Sequence, residues 1–337
     1  MGNNILVVVL IVVAAIAVCV IAFLKRKKRA GVQVECAEGS NGHGTQGTQQ
    51  DAEDTDDDTG GPKLTSQEKE GLLALLGPTA LTYIKLTPVK KTLSVFDSKM
   101  GGVPYLPPGF DYPYNTDPES DKKPLKLLAQ LNFAQLPHLE GYPSEGILQF
   151  YIAYEPKADT YGLDFMDDSN PLGWRLAYHK DILDDESLLQ SPPELDSGGE
   201  ECFPLRGEFG FEAQLAEEFL SCSDFRWEGF IEDSVESTPL YASLLEKYAE
   251  EDIDGILIHA SGGDGIKIGG YPHFAQVDYR GYNDGKNTAM LLQLDMWGDD
   301  EGGGIMFGDS GAAKWFLTPE ALAEMDLSDV MYHWDCY

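Results

Sequence analysis

Several groups of side chains in this sequence have the composition of reactive or ligand-binding chemistry. Gly308-Asp309-Ser310-Gly311 copies the surroundings of a nucleophilic serine, whose hydroxyl attacks an acyl carbon once a neighbouring base takes its proton. No histidine motif stands upstream to supply that base. G-x-S-x-G is also missing, because Ala312 occupies the second position after Ser310. A glycine-rich turn accounts for the segment. Asp295, Asp299, Asp300, Glu301 and Asp309 offer oxygens of the kind Ca²⁺ or Mg²⁺ takes, but their spacing is not that of an EF-hand loop. With 57 acidic residues in the chain, the cluster reads as a solvated hairpin tip. Gly262, Gly263, Gly265, Gly269 and Gly270 surround Lys267 as phosphate-cradling glycines would, without the G-x-x-x-x-G-K-[ST] order of a P-loop. The six histidines lack H-E-x-x-H spacing, and His333-x-x-Cys336 is half of a zinc site. No catalytic set, metal or cofactor is expected.

A second signal is internal repetition. Lys99-Met-Gly-Gly-Val-Pro104 recurs as Lys267-Ile-Gly-Gly-Tyr-Pro272, and Leu128-Ala-Gln-Leu-Asn132 as Leu291-Leu-Gln-Leu-Asp295, one position looser. Gly146-Ile-Leu-Gln-Phe150 is matched to Gly304-Ile-Met-Phe307. Blocks of like type in the same order predict a duplicated unit, with pseudo-repeats at about 80–180 and 250–337. Each half supplies a Gly-Gly turn and a glutamine among aliphatic strand neighbours. A buried amide needs hydrogen-bond partners, so Gln130, Gln149 and Gln293 either bond each other and loop backbone or line a polar cleft between the halves. The candidate binding set is Lys99, Gln130, Gln149, Lys267, Gln293, Asp295 and Asp309.

The elements that must position these residues are mostly short strands. Ala80 to Leu86, Leu125 to Phe133, Gly146 to Tyr154, Trp174 to Tyr178, Gly255 to His259, Ala289 to Asp295, Gly304 to Phe307 and Ala313 to Leu317 are bounded by turn residues. Thr65-x-x-Glu68 predicts a capping box for a first helix. Further helices are expected over Phe211 to Phe219, Pro239 to Tyr248 and Pro319 to Met325. The expected class is a strand-rich α+β fold of antiparallel sheets built from a duplicated unit, preceded by one transmembrane helix. That helix would be Ile5 to Leu24, 20 apolar residues followed by the basic run Lys25 to Arg29. Basic residues on its C-terminal side predict an anchor in the cell membrane with the N-terminus outside and the rest cytoplasmic. Residues 30–64 read as an acidic tether and 65–337 as the folded domain.

Charge narrows the partners. The chain has 24 Lys and Arg against 57 Asp and Glu, a net −33; from residue 71 onward the counts are 17 and 47, a net −30. Such a surface repels nucleic-acid backbones and favours a basic protein. The repeated blocks, together with Phe307-Gly-Asp-Ser-Gly-Ala-Ala-Lys-Trp-Phe316 and the terminal Cys336-Tyr337, resemble the YwqG-like family from about Ser98 to Tyr337. That resemblance implies a duplicated β-rich cytoplasmic domain with no established reaction and no catalytic residues to transfer. It also points to neutralising partners of secreted toxins. The functional expectation is a membrane-anchored binding or scaffolding module neutralising a basic toxin-like partner; the alternative is an enzyme with a small-molecule site between the repeats.

Overall fold

A computed structural model describes residues 63–337 apart from 119, 121, 155–159, 196–202 and 283, all within the unit Asp57–Tyr337. The first helix, α1 (Ser66–Ala74), starts as expected. Thr65 accepts from the Glu68 N–H while the Glu68 carboxylate takes the Thr65 N–H, which closes a capping box. Four hydrogen bonds, first from backbone Thr65 and then from the side chains of Lys247, Tyr248 and Thr65, hold the Glu68 carboxyl down at about 2. Helix α2 (Trp227–Phe230), α3 (Pro239–Leu245) and α4 (Glu250–Ala260) join α1 around a small core of their own, formed by Leu72, Leu76, Ile231, Leu244, Ile253 and Leu257. Helix α5 (Pro319–Glu324) has Thr318 as N-cap with proline at its first position.

The strands are β1 (Leu81–Val89), β2 (Lys99–Met100), β3 (Lys126–Asn132), β4 (Ile147–Ile152), β5 (Trp174–His179), β6 (Leu205–Arg206) and β7 (Phe209–Glu218). They continue with β8 (Lys267–Gly269), β9 (Ala289–Leu294), β10 (Trp297–Gly298), β11 (Gly304–Ile305), β12 (Ala312–Leu317) and β13 (Met331–Asp335). Ten of them form one curled antiparallel sheet in the order β13-β12-β9-β8-β1-β7-β2-β3-β4-β5, and β10-β11-β6 form a small second sheet. The order is organised about the β1–β7 pair, which runs in register from Leu81↔Glu218 to Val89↔Gly210. On each side lie a two- or three-residue strand carrying the Gly-Gly turn, a glutamine strand and two outer strands.

This corrects the expected α+β class: a single large sheet with few short helices replaces several sheets mixed with helices. Two local readings change with it. Phe211 to Phe219 holds good helix formers, yet nearly all of it lies in β7, because nine residue pairs with β1 outweigh a propensity difference of a few tenths of a kcal/mol per residue. Gly255 to His259 lies in α4, where Ile253 and Leu257 are buried four residues apart and Glu250, Glu251 and Asp252 face the positive end of the helix dipole. A short Ile-Leu-Ile run has no period of its own to tell helix from strand.

The transmembrane expectation is also overturned as a feature of the structure: no helix among the described residues is long and apolar enough to cross a membrane. Ile5 to Leu24, Lys25 to Arg29 and nearly all of the acidic tether lie outside the described residues. The single-pass anchor, the bilayer partner and the N-outside, C-inside location are therefore set aside.

The sheet is covered on both faces. One face packs the main core, in which Leu148, Phe150, Ala313, Trp315, Tyr332 and Trp334 meet. Phe150 and Trp315 touch edge to face at 5.0 Å between ring centres. The alternate residues of the same strands, Gln149, Lys314 and His333 among them, lie on the opposite face. Loops roof that face, and there the candidate residues stand.

Candidate functional site

Strand register fixes two rows of polar side chains. In the first row Lys99 pairs with Gln130, Gln130 with Gln149, and Gln149 with Ala177. In the second, Lys267 pairs with Gln293, Gln293 with Lys314, and Lys314 with His333. The structure thus joins Lys99, Gln130 and Gln149 on one side of the central pair, and Lys267 and Gln293 on the other. β7 and β1 stand between Lys99 and Lys267, so the two rows lie three strand spacings apart across the sheet, about 14 Å at ~4.8 Å each. The register also offsets them along the strands, from the level of Val89 to that of Lys85.

Both glutamines of the inner strands are clamps on a roofing loop. Gln130 Oε1 accepts from the N–H of Tyr105 at 2.9 Å, and its Nε2 donates to the carbonyls of Val95 and Asp97 at 2.8 and 3.0 Å. Gln293 Oε1 accepts from the N–H of His273 at 2.8 Å, and its Nε2 donates to the carbonyls of Gly263 and Gly265 at 2.7 and 2.9 Å. Tyr105 and His273 each follow a Gly-Gly-x-Pro turn whose glycines, Gly101, Gly102, Gly269 and Gly270, have φ of 69 to 74°. Such backbone is strained for any residue with a Cβ. Gln149 joins its row by donating to Gln130 Oε1 at 2.9 Å and to the carbonyl of Tyr105 at 2.7 Å.

The lysines differ. Lys99 is 1% exposed and gives its ammonium to the carbonyls of Ser94 and Val103, each at 2.6 Å. No described carboxylate lies within ion-pair distance of it, and burial pulls its pKa down to about 8 against the weaker opposing pull of Asp97 and Glu208. Lys267 is also buried, but both Glu218 oxygens accept from it at 2.8 Å. Glu218 accepts as well from the N–H groups of Gly263 and Tyr271 at 3.0 and 2.6 Å. Burial lowers the Lys267 pKa too, with Glu218 resisting.

The outer strands repeat the contrast. Lys314 forms an ion pair with Asp335, whose other oxygen accepts from the Gln276 N–H at 2.9 Å. At the matching positions of the first row, Gln149 Oε1 meets His179 Nε2 at 3.0 Å. Beside the second row Arg280, 1% exposed, bridges Asp278 at 2.6 Å and Asp224 at 2.8 Å, and Asp224 also receives Arg226. His333 lies among these groups, its pKa pushed down to about 4 by burial and then by Lys314.

Asp295 stays at the edge of its row, accepting from the Gly265 N–H at 2.8 Å. Asp309 stands apart in an exposed turn, where Gly308 and Ser310 have positive φ and Gly311 N–H closes on the Phe307 carbonyl. Ser310 Oγ reaches Asp309 Oδ1 at 3.5 Å, the hydrogen bonding of a turn. No group of three or more His, Cys, Asp and Glu among the described residues could hold a metal ion.

Sequence reading missed Glu218, Lys314, Asp335, Arg280, Asp278 and Asp224. Two signals for them were present: the twin Asp224-x-Arg226 and Asp278-x-Arg280 pairs, and the alignment of Gly311-Ala-Ala-Lys314 with Gly146-Ile-Leu-Gln149. Register makes β12, and not β11, the counterpart of β4.

An open pocket lies beside each roofing loop. One of about 350 Å³ is walled by Tyr83, Glu217, Glu218, Phe219 and the turn from Ser261 to Asp264. The other, about 760 Å³, is walled by Gly101, Gly102, Lys126, Phe203, Arg206 and Glu208, among others.

Residues 98–336 match a family described as a domain of unknown function, DUF1963, and the chain belongs to that family. The match begins after β1, so one of the two central strands precedes it. No curated protein matches the chain.

Proposed function

We propose that this domain is a binding module for a basic protein, engaged at the pocket walled by Glu217, Glu218 and Asp264. The observation that carries the reading is the composition of that pocket. Lys267 takes up Glu218, and the exposed carboxylates of Glu217 and Asp264 beside the Phe219 ring are left to hold a lysine or arginine side chain by charge and by its apolar stem. The net −30 of residues 71–337 adds fast, salt-sensitive attraction of a positive surface. A basic toxin-like protein, the partner to which the YwqG-like resemblance points, meets that description. The matching glutamine clamps support a duplicated unit as the origin of the two rows. The enzyme alternative draws support from the lowered pKa of Lys99, but 1% exposure and two carbonyl partners hold that ammonium away from a substrate.

Titration of the full chain with an arginine-rich peptide tests this. Affinity should fall steeply from 50 to 300 mM salt, and Glu217→Gln with Asp264→Asn should weaken it about tenfold. Asp184→Asn with Glu186→Gln removes the same charge elsewhere on the surface and should leave affinity within about twofold. Equal losses in the two double variants would sink the assignment to this pocket.

A further inference from the structure

The pocket beside the first loop has the opposite character. Its volume of about 760 Å³ falls within the range of small-molecule sites. Lys126 lies along its wall with the ammonium 4.5 Å from the centre of the Phe203 ring, and Arg206 is exposed beside it. Seven other cations of the domain, Lys90, Arg226, Lys247, Lys267, Arg280, Lys286 and Lys314, have carboxylate partners. Lys126 and Arg206 have none among the described residues. The same holds for Lys69, Lys85, Lys91, Lys99, Lys122, Arg175 and Lys180, but of all these only Lys126 and Arg206 line a pocket together. Two cations without a described carboxylate therefore line one concavity of an acidic chain.

The turn behind them is closely packed. Gly102 packs so that a Cβ there would come 3.8 Å from Lys99 Cδ and 3.4 Å from Glu208 Oε2. The Lys99 stem therefore lies directly behind the pocket wall, with an ammonium that no described carboxylate pairs. Glu208 is the one carboxylate among the described lining residues. Leu205, Gly207 and Glu208 pack against Gly101 and Gly102, so the turn forms a closed wall and the cations open to a ligand are Lys126 and Arg206.

We propose that this pocket is a binding site for a small organic anion, its carboxylate or phosphate held by Arg206 and Lys126. Arg206 supplies a planar fork suited to either oxyanion, and Lys126 supplies a point charge held over the buried Phe203 ring.

Calorimetric titration of the full chain with inorganic phosphate, and separately with succinate, tests the site at low salt. Saturable binding of either is expected, and the tighter of the two names the headgroup. Arg206→Gln and Lys126→Gln should each weaken it about tenfold, the size of one lost charge-assisted contact. Glu208→Gln should tighten it, which a variant that merely loosens the fold would not do. Lys85→Gln, an exposed lysine of β1 outside the pocket, should change nothing. Absence of saturable binding up to about 10 mM of both anions would overturn the proposal. So would an affinity that falls as far with Lys85→Gln as with Arg206→Gln.

Discussion

The two rows of polar side chains on either side of the β1–β7 pair hold their loops in the same way and treat charge in opposite ways. Gln130 and Gln293 make the same set of loop bonds: one N–H after the Gly-Gly-x-Pro turn and two carbonyls before it. Around them, the first row is a lysine on carbonyls and a glutamine on a histidine, whereas the second is two lysines on carboxylates with an arginine bridging two more. The molecule thus contains its own control. Loop attachment in the first row works without an ion pair, so the buried carboxylates of the second row are not required by the architecture. This agrees with the general finding that a buried ion pair adds little over a neutral replacement but costs much when one partner is removed.

The sharpest way to break the comparison is Glu218→Ala. It leaves Lys267 buried without its carboxylate and strips acceptors from Gly263 and Tyr271, so urea unfolding should show a loss of about 3–5 kcal/mol. A loss below about 1 kcal/mol would mean that the second row tolerates a bare lysine as the first does. Next come Gln130→Leu and Gln293→Leu, each expected to cost about 2–4 kcal/mol by orphaning loop groups. If the clamps are equivalent, the two values agree within about 1 kcal/mol.

A smaller effect separates the rows by pH. His333 titrates near 4 when folded and near 6.5 when unfolded, so its neutral form contributes stability above pH 6.5 that is lost as pH falls through 4. By pH 4 this amounts to about 1–3 kcal/mol. Ala177 stands at the matching position of the first row, and His333→Ala should flatten that part of the acid limb. The smallest effect is expected of Lys99→Met, about 1 kcal/mol or less at pH 7, because no carboxylate is left behind. Its signature lies on the alkaline side. Lys99 loses its proton near 8 in the folded state and near 10.4 unfolded, so wild-type stability should gain a contribution between those values that the methionine variant lacks.

The sequence disclosed the inner part of this arrangement. Lys99-x-Gly-Gly and Lys267-x-Gly-Gly keep their letters because left-handed glycines admit few substitutes, and the two clamp glutamines keep theirs because the loop backbone dictates both donor and acceptor. The outer strands were less legible. Gly311-Ala-Ala-Lys314 and Gly146-Ile-Leu-Gln149 share a register and scarcely a residue, so the third repeat block was placed on Gly304 to Phe307, in the other sheet. Glu218 was hidden for another reason. It stands 49 positions from its lysine, in a strand whose Glu, Ala, Gln and Leu content reads as helix. The pockets were unreadable, since their walls come from segments that only the folded sheet brings together.

Strand β1 also sets the order in which this molecule can be made. Val89 pairs with Gly210 and Leu81 with Glu218, separations of 121 and 137 residues, while β3, β4 and β5 meet neighbours much nearer in the chain. Loop closure across such distances is slow, so the middle of the sheet should be its last part to zip, after its flanks. Until then, during synthesis, β1 waits as an alternating apolar strand with both hydrogen-bonding edges bare. A fragment trimmed to residues 98–336 removes that strand altogether and leaves β7 and β8 as facing open edges, a template for pairing between chains.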